Sequence, residues 1–534
     1  MLFNSYIFIF CFLPLVLLGF FICQKLKYQY LSLLWLISSS LFFYAWWNTK
    51  YLLLIIFSVL INFALGSLIE KIRRKSLLVF GLFFNLGLIG YYKYANFFVD
   101  NLNTILASNI HLHKVILPLA ISFFTFQQIV YLVDAYRGQT KQYKFLHYCL
   151  FVTFFPQLIA GPIVHHKEMI PQFNLGKFYN LRFKNLAIGL SIFAIGLFKK
   201  IVIADGISIY ATPMFDAAEI NVQLTFFEAW FGTLAYSMQL YFDFSGYSDM
   251  AIGLARMFGL KLPVNFYSPY KALNIADFWR RWHITLSRLI REYLWDPVSL
   301  NLTRLGFKYK LGTVTFFVLA TIIPTLFTFF WIGLWHGAGW DFIIFGLLHG
   351  SYIVLFNIWS KIKQNFPKIK FIRNRYISTS IAWSITFLSV AIGWVFFRAE
   401  SINGAKNVLS AMFGYNQISL PPGLLGNLGS FEKVLVENGF VFQGMFSNGV
   451  LGNDPFIAIQ LVFLLIGSCL VLPNCQQIFA RYKPYISTYP NVKISYPRWL
   501  LWRPTLKWGF LSVVFFSLAI LSINKESEFL YFQF

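Results

Sequence analysis

The chain reads as an all-α membrane protein, a polytopic bundle of about 11–13 hydrophobic segments with one re-entrant hairpin and amphipathic interfacial helices. Three observations predict this. The 534 residues are 58% hydrophobic and only 12% charged, where a soluble domain carries about 25% charged residues. Apolar runs of about 20 residues, each able to cross a bilayer, recur from end to end, and the mean hydropathy is +0.63. The basic residues behind the net charge of +24 sit in short loops between those runs, the pattern of cytoplasmic loops rather than of a nucleic-acid surface.

Taken in order, the candidate spans are 6–22, 30–47, 51–69, 76–92, 115–135, 145–163, 183–203, 225–254, 313–335, 340–359, 378–397, 456–473 and 508–523. The first has Lys25 and Lys27 after its apolar core rather than before it, so it is expected to be an uncleaved span with its N-terminus outside. The basic loops 70–75, 361–375 and 481–507 are expected on the cytoplasmic side, where anionic lipid headgroups are the expected contact. The 398–455 loop, which holds Glu432, Glu437 and Asp454, is expected outside, as is the tail after the last span. The segment 145–163 breaks the alternation, because Arg137, Lys141 and Lys144 precede it and Lys167, Lys177, Arg182 and Lys184 follow it. A hairpin broken at Pro156 and at Gly161-Pro162 resolves this, and it requires protein or a water-filled cavity to satisfy the freed backbone.

No repeat, low-complexity tract or Gly/Ser linker divides the chain, so 1–534 is read as one domain. Within it, 1–144 supplies N-terminal spans, 145–360 a core and 361–534 the C-terminal spans. The five cysteines are odd in number and lie mostly in or beside apolar runs, which favours small buried hydrophobes over disulfides or a metal site.

Ionisable groups at membrane depth are costly and each is a functional hypothesis. In 235–259, Tyr236, Gln239, Asp243 and Tyr247 share one helical face while Asp249 points elsewhere. A helix-locking hydrogen-bond network is the preferred reading for Asp249, and Asp243 admits either that or function. In 274–298, Trp279, Leu286, Ile290 and Tyr293 form an apolar stripe with Arg280, Arg281, Arg288 and Arg291 largely off it, so a continuous amphipathic interfacial helix is expected. His283 falls on that stripe, where packing is the usual role. In 329–352, His336 lies between Trp335 and Gly337 at a junction of spans, and His349 follows in the next span beside Gly346 and Gly350. Chemistry is preferred for His336 and structure for His349. The G-x-S-x-G elbow and the phosphate-binding and dinucleotide glycine loops are absent. The two histidines lack helical zinc spacing, so no metal is expected. General-base chemistry on a hydroxyl remains.

At these residues the chain resembles the membrane-bound O-acyltransferase superfamily, in the bacterial branch of the alginate O-acetylation membrane proteins. The resemblance rests on FYAWW (43–47), YYKYANFF (91–98), LPLAISFFTFQQIVYLVDAYRG (117–138), FFPQLIAGPIV (154–164), QLYFDFSGYSDMAIGLARMFG (239–259), FWRRWHITLSRLIREYLW (278–295) and GLWHGAGW (333–340), in that order, with FLYFQF at the end. It implies acyl transfer from a thioester to a hydroxyl through a central tunnel. The family's invariant histidine maps onto His336 as the base, and its second polar position onto His283, to orient the donor or steady the oxyanion. Trp282, Trp335, Arg280, Arg281, Asp243, Tyr247 and Gly337 are the expected substrate or tunnel residues, Gly337 by letting donor and acceptor approach the imidazole. His349, Asp249, Gly161 and Pro162 are expected to be structural. The expected donor is acyl-CoA, with acetyl-CoA the one the resemblance implies. The expected acceptor is a hydroxyl of a surface polysaccharide (an alginate-like polymer, cellulose, peptidoglycan or lipopolysaccharide), reached with an extracytoplasmic esterase-like or transferase partner. The expected location is the bacterial inner membrane, with both termini outside. Two other readings stand beside it. One is D-alanyl transfer from a carrier protein to teichoic acid. The other is a transporter or flippase, which would tolerate loss of His336 better than loss of Asp243.

Overall fold

A computed structural model describes the chain except residues 113–114, 141, 175–181, 367–373, 452–453, 487–495, 524–529 and 531–534. Lys141, Lys177, the middle of two basic loops and nearly all of the tail therefore lie outside the described residues. Among the described residues, seven helices are long and apolar enough to cross a membrane: Ile7–Lys25, Lys50–Ile72, Lys75–Leu106, Phe183–Glu219, Thr313–His336, Trp340–Asn365 and Arg375–Arg398. Gln29–Ala45, Pro455–Val471 and Leu506–Leu521 are shorter apolar helices. The protein is a multi-pass helical membrane protein, and one apolar cluster of buried residues runs from Phe3 to Leu530.

At its centre lies Phe226–Met257, 32 residues long and buried along nearly all of its length. Thr225 and Glu228 start it with a reciprocal capping box. The sequence reads 225–254 as a span, yet this helix is not among the seven of membrane-crossing length and apolarity, because its polar residues are buried against protein rather than excluded. Its closest neighbour, Phe183–Phe198, crosses it antiparallel through paired glycines. A Cβ on Gly189 would lie 2.6 Å from the Gly253 carbonyl oxygen, and one on Gly196 would lie 2.7 Å from that of Gly246. Small residues at these crossings let backbones touch where lipid supplies no hydrophobic drive.

The hairpin takes a specific form. Phe145–Thr153 ends, Phe155–Leu158 makes a single turn, and the chain then runs without helix to Val164, with every residue from 151 to 164 buried. Protein groups satisfy the freed backbone: Phe155 N–H donates to Ser40 Oγ (3.2 Å) and Ile163 N–H to Thr285 Oγ1 (3.0 Å). Gly161 is required by space, since a Cβ there would meet Gln157 Cα at 2.6 Å.

Two expectations change. Segment 115–135 is helical only from Ile121, because the chain enters that helix through Pro118 and a left-handed Ala120 (φ +61°). The stretch 274–298 is not one continuous helix either. Ile275–Arg281 stops, His283 takes a left-handed φ of +44°, and Ile284–Ile290 begins in a new direction. The apolar stripe read across 279–293 is thus split, and His283 leaves it for the protein interior. The 398–455 loop is structured, with helices Ile402–Met412 and Ser430–Glu437 and a two-residue parallel ladder pairing Ile418–Ser419 with Phe440–Val441.

Candidate active site

Helix Ile323–His336 ends with unpaired carbonyls, as every helix does. A neighbouring helix supplies the caps. Within Lys75–Leu106 a π-helical turn, Gly90–Tyr94, presents two consecutive side chains to that end. Tyr94 OH donates to the Leu334 carbonyl (2.7 Å), and Lys93 Nζ donates to the carbonyls of Trp335 and His336, the latter at 3.1 Å. His336 is thereby fixed at the corner between two spans, 4% exposed. Its imidazole packs edge-on against Trp335 (4.9 Å between centroids), Phe397 (5.1 Å) and Phe345 (5.9 Å).

A cavity of about 420 Å³ opens beside it, lined by Met1, Leu2, Trp47, Lys93, residues 116–123, Ile159, Trp335 and His336. Ile159 belongs to the buried hairpin, so that segment reaches the cavity wall. Trp340–Asn365 begins at the His336 corner and runs away from it to Lys361 and Lys363. The cavity thus lies toward the ends of the helices remote from their basic loops.

His283 sits behind Trp335, fully buried and off the cavity, with its ring 6.0 Å from the indole and 4.8 Å from Phe244. The Trp335 ring therefore contacts both histidines. Asn265 sets the chemical state of His283. Asn265 Oδ1 accepts from Thr285 N–H (3.4 Å) and Thr285 Oγ1 (3.0 Å), and the Asn265 carbonyl accepts from Ile284 N–H (2.9 Å). A backbone N–H can only donate, so the amide oxygen faces this node. His283 Nδ1, 3.0 Å away, must then carry the proton. Its Nε2 is left with the lone pair, as an acceptor or base. Thr285 also receives the hairpin's Ile163 N–H, so Gly161 and Pro162 lie in the non-helical segment that braces this node.

The other expected site residues lie elsewhere. Gly337 has an extended backbone, and the space above it is filled by the Phe342 ring, 2.1 Å from where a Cβ would stand. Trp282 is buried in an aromatic stack with Phe278 (5.6 Å) and Trp394 (4.9 Å). Arg280 is exposed, and Arg281 is paired with Asp277 at 2.8 Å. Asp243 pairs with Lys200 (2.5 Å) and Asp249 with Lys199 (2.7 Å), so one π-helical turn, Lys199–Ala204, serves both carboxylates of the central helix. Asp243 also accepts from Leu530 N–H at 3.3 Å. Tyr247 stacks on Phe3 at 4.8 Å. His349 Nδ1 accepts from Trp279 Nε1 (3.3 Å), and its Nε2 packs against Gly393.

Pattern reading does not single out Lys93, Asn265, Thr285 or Asp134. A lone lysine inside an apolar helix was the available signal for Lys93; nothing marked Asn265. Asp134 is the hub of a second cluster. Its Oδ2 meets Lys167 Nζ (2.8 Å), His166 Nε2 (3.0 Å) and His165 Nε2 (3.4 Å). His165 Nδ1 accepts from Lys167 N–H (3.2 Å), so its Nε2 carries the proton, 2.8 Å from the Tyr293 hydroxyl and 3.4 Å from Asp134 Oδ2. The Lys167 ammonium is thus the nearest cation to the Asp134 carboxylate, with the two imidazoles completing its surroundings.

Residues 59–393 match the family described as MBOAT, membrane-bound O-acyltransferase. The chain belongs to that family. This membrane-bound O-acyltransferase is 45% identical over 504 residues to a peptidoglycan O-acetyltransferase of Helicobacter pylori, covering 88% of this chain and 89% of the relative. It is 35% identical over 554 residues, the whole length of both chains, to a probable alginate O-acetylase of Pseudomonas aeruginosa. A teichoic acid D-alanyltransferase of Bacillus subtilis is 30% identical over 292 residues, covering 54% of this chain and 70% of the relative. The expectation of an acyl-transferring membrane enzyme holds.

Proposed function

We propose that this acyltransferase moves an acetyl group from acetyl-CoA, on the side of the basic loops, to a hydroxyl of a cell-surface polysaccharide on the opposite side, with His336 as general base. The observation that carries the reading is His336 lining a cavity of about 420 Å³ at the helix ends remote from the basic loops. The relatives of highest identity named above act, by their names, on peptidoglycan and alginate, which supports a polymer of that kind as the acceptor. By the positive-inside bias the cavity faces out of the cell; in this reading the membrane is the bacterial inner membrane, and an extracytoplasmic esterase-like or transferase partner completes delivery to the sugar. In this reading the donor reaches His336 past Trp335 from the side of the basic loops, and His283, behind Trp335 with Nε2 as the acceptor nitrogen, orients the thioester.

The test is ester-linked acetate released by mild alkali from isolated surface-polymer fractions. Cells carry the native chain, no chain, or His336→Ala at matched membrane levels. Loss of acetate from one fraction in both altered strains is expected, and it names the acceptor. Unchanged acetate in every fraction rules out acetyl transfer to these polymers; D-alanine esters are then the next quantity to measure.

A further inference from the structure

Lys93 does more in this site than hold a helix end. Its ammonium has three N–H donors, and two go to the carbonyls of Trp335 and His336. Capping needs no charge at this place, since the neighbouring Leu334 carbonyl is capped by the neutral hydroxyl of Tyr94 at 2.7 Å. A lysine at membrane depth is costly and is held by another charge or by backbone carbonyls; among the described residues Lys93 is held by the two carbonyls and by the Trp335 ring, 6.0 Å from Nζ to the centroid, and by no carboxylate within ion-pair distance. Lys93 is also the one charged side chain among the described residues lining the His336 cavity. The first turn of helix Ile121–Tyr136 lines the same cavity through Ile121, Ser122 and Phe123, so its positive end faces the same space.

We propose that Lys93 is a catalytic residue that donates its remaining N–H to the anionic oxygen formed on the transferred acyl group. This rests on the reading of His336 as general base. The acceptor hydroxyl oxygen bonds to the thioester carbonyl carbon while its proton passes to His336. The carbonyl π pair moves onto oxygen, and a Lys93 N–H donates a hydrogen bond to the oxyanion so formed. Collapse restores the carbonyl, breaks the carbon–sulfur bond and returns the proton from His336 to the departing thiolate, giving ester and thiol. A cation fixed beforehand by two carbonyls, beside a mostly apolar cavity, suits such stabilisation because it need not reorganise during the reaction.

The experiment uses membrane vesicles from cells carrying the full chain and its native envelope, supplied with radiolabelled acetyl-CoA. Alkali-labile label in the polymer is followed against acetyl-CoA concentration for the native chain, Lys93→Met, Lys93→Arg and His336→Ala. Melting of each solubilised variant is measured in parallel. Loss of one preorganised oxyanion donor costs about 100- to 1,000-fold in turnover, so Lys93→Met is expected to lose that much with its acetyl-CoA KM within about threefold of native. Lys93→Arg, which keeps the charge, is expected to recover most of the rate. The proposal is overturned if Lys93→Met turns over within threefold of native. It is equally overturned if the loss appears in KM alone, or if Met and Arg variants lose rate and melting temperature alike, which marks a mere cap. An inactive His336→Ala beside an active Lys93→Met removes this inference alone, whereas a fully active His336→Ala removes the general-base reading beneath it.

Discussion

Gly346→Ala tests how finely the two spans flanking His336 must pack. Helices Thr313–His336 and Trp340–Asn365 cross at Gly333 and Gly346. A Cβ on Gly346 would stand 2.2 Å from the Phe329 carbonyl oxygen and 2.9 Å from Gly333 Cα. Carbon and oxygen in a close Cα–H···O contact lie about 3.3 Å apart, so the helices must separate by about 1 Å. Overpacking of that kind costs about 1–3 kcal/mol, too little to unfold a bundle of this size. The displaced helix carries His336 at its end, however, and a misplacement of about 1 Å at a reacting group costs on the order of 100-fold in rate. The expected result is therefore a folded, slightly less stable protein whose polymer acetylation has nearly vanished. Ester-linked acetate and thermal melting of the solubilised protein are read side by side. Gly467→Ala and Gly509→Ala serve as controls, because nothing lies within 4 Å of a Cβ at either position. Native acetate and an unchanged melting temperature in Gly346→Ala would refute the claim that this crossing sets the position of His336.

Asn265→Ala removes the acceptor for His283 and Thr285 and leaves buried donors unpaired; about 1–3 kcal/mol of stability and at least tenfold in transfer rate are expected to go, and native rates in this variant would show that the His283 tautomer is immaterial. Burial pushes the His166 imidazole down to about 4, partly opposed by its hydrogen bond to Asp134. Unfolded, the same group titrates near 6.5. Between those values the unfolded chain holds a proton the folded chain lacks, so stability falls as pH drops from about 6.5 toward 4, by about 3 kcal/mol at most. Melting curves across that window should be flatter in His166→Gln than in the native chain, and an identical slope would exclude His166 as a source.

Much of the fold was legible because membrane insertion writes itself into composition. Runs such as 51–69 must be apolar wherever they pack, and a break such as Pro156 with Gly161-Pro162 has few tolerable environments in lipid. The expected spans 76–92 and 183–203 ran short because the helices continue beyond their most apolar stretch, to Leu106 and Glu219. The break at His283 was hidden for a different reason: the stretch 278–295 has helical periodicity throughout, and the left-handed turn is braced by Asn265, 18 residues away along the chain from His283.

The sequence by itself determined the class of protein and the family, and marked His336 and His283 as the residues to watch, since each is a matter of local pattern or motif order. Only the tertiary structure decided what surrounds them. It put Phe342 over Gly337, set Trp335 between the two histidines, tied Asp243 and Asp249 to Lys200 and Lys199, and brought Lys93 to the carbonyl of His336 across 243 residues of chain. Those contacts depend on where helix ends meet and on a single π-turn's change of register, and apolar periodicity, which reports only the buried face of a helix, carries no record of either.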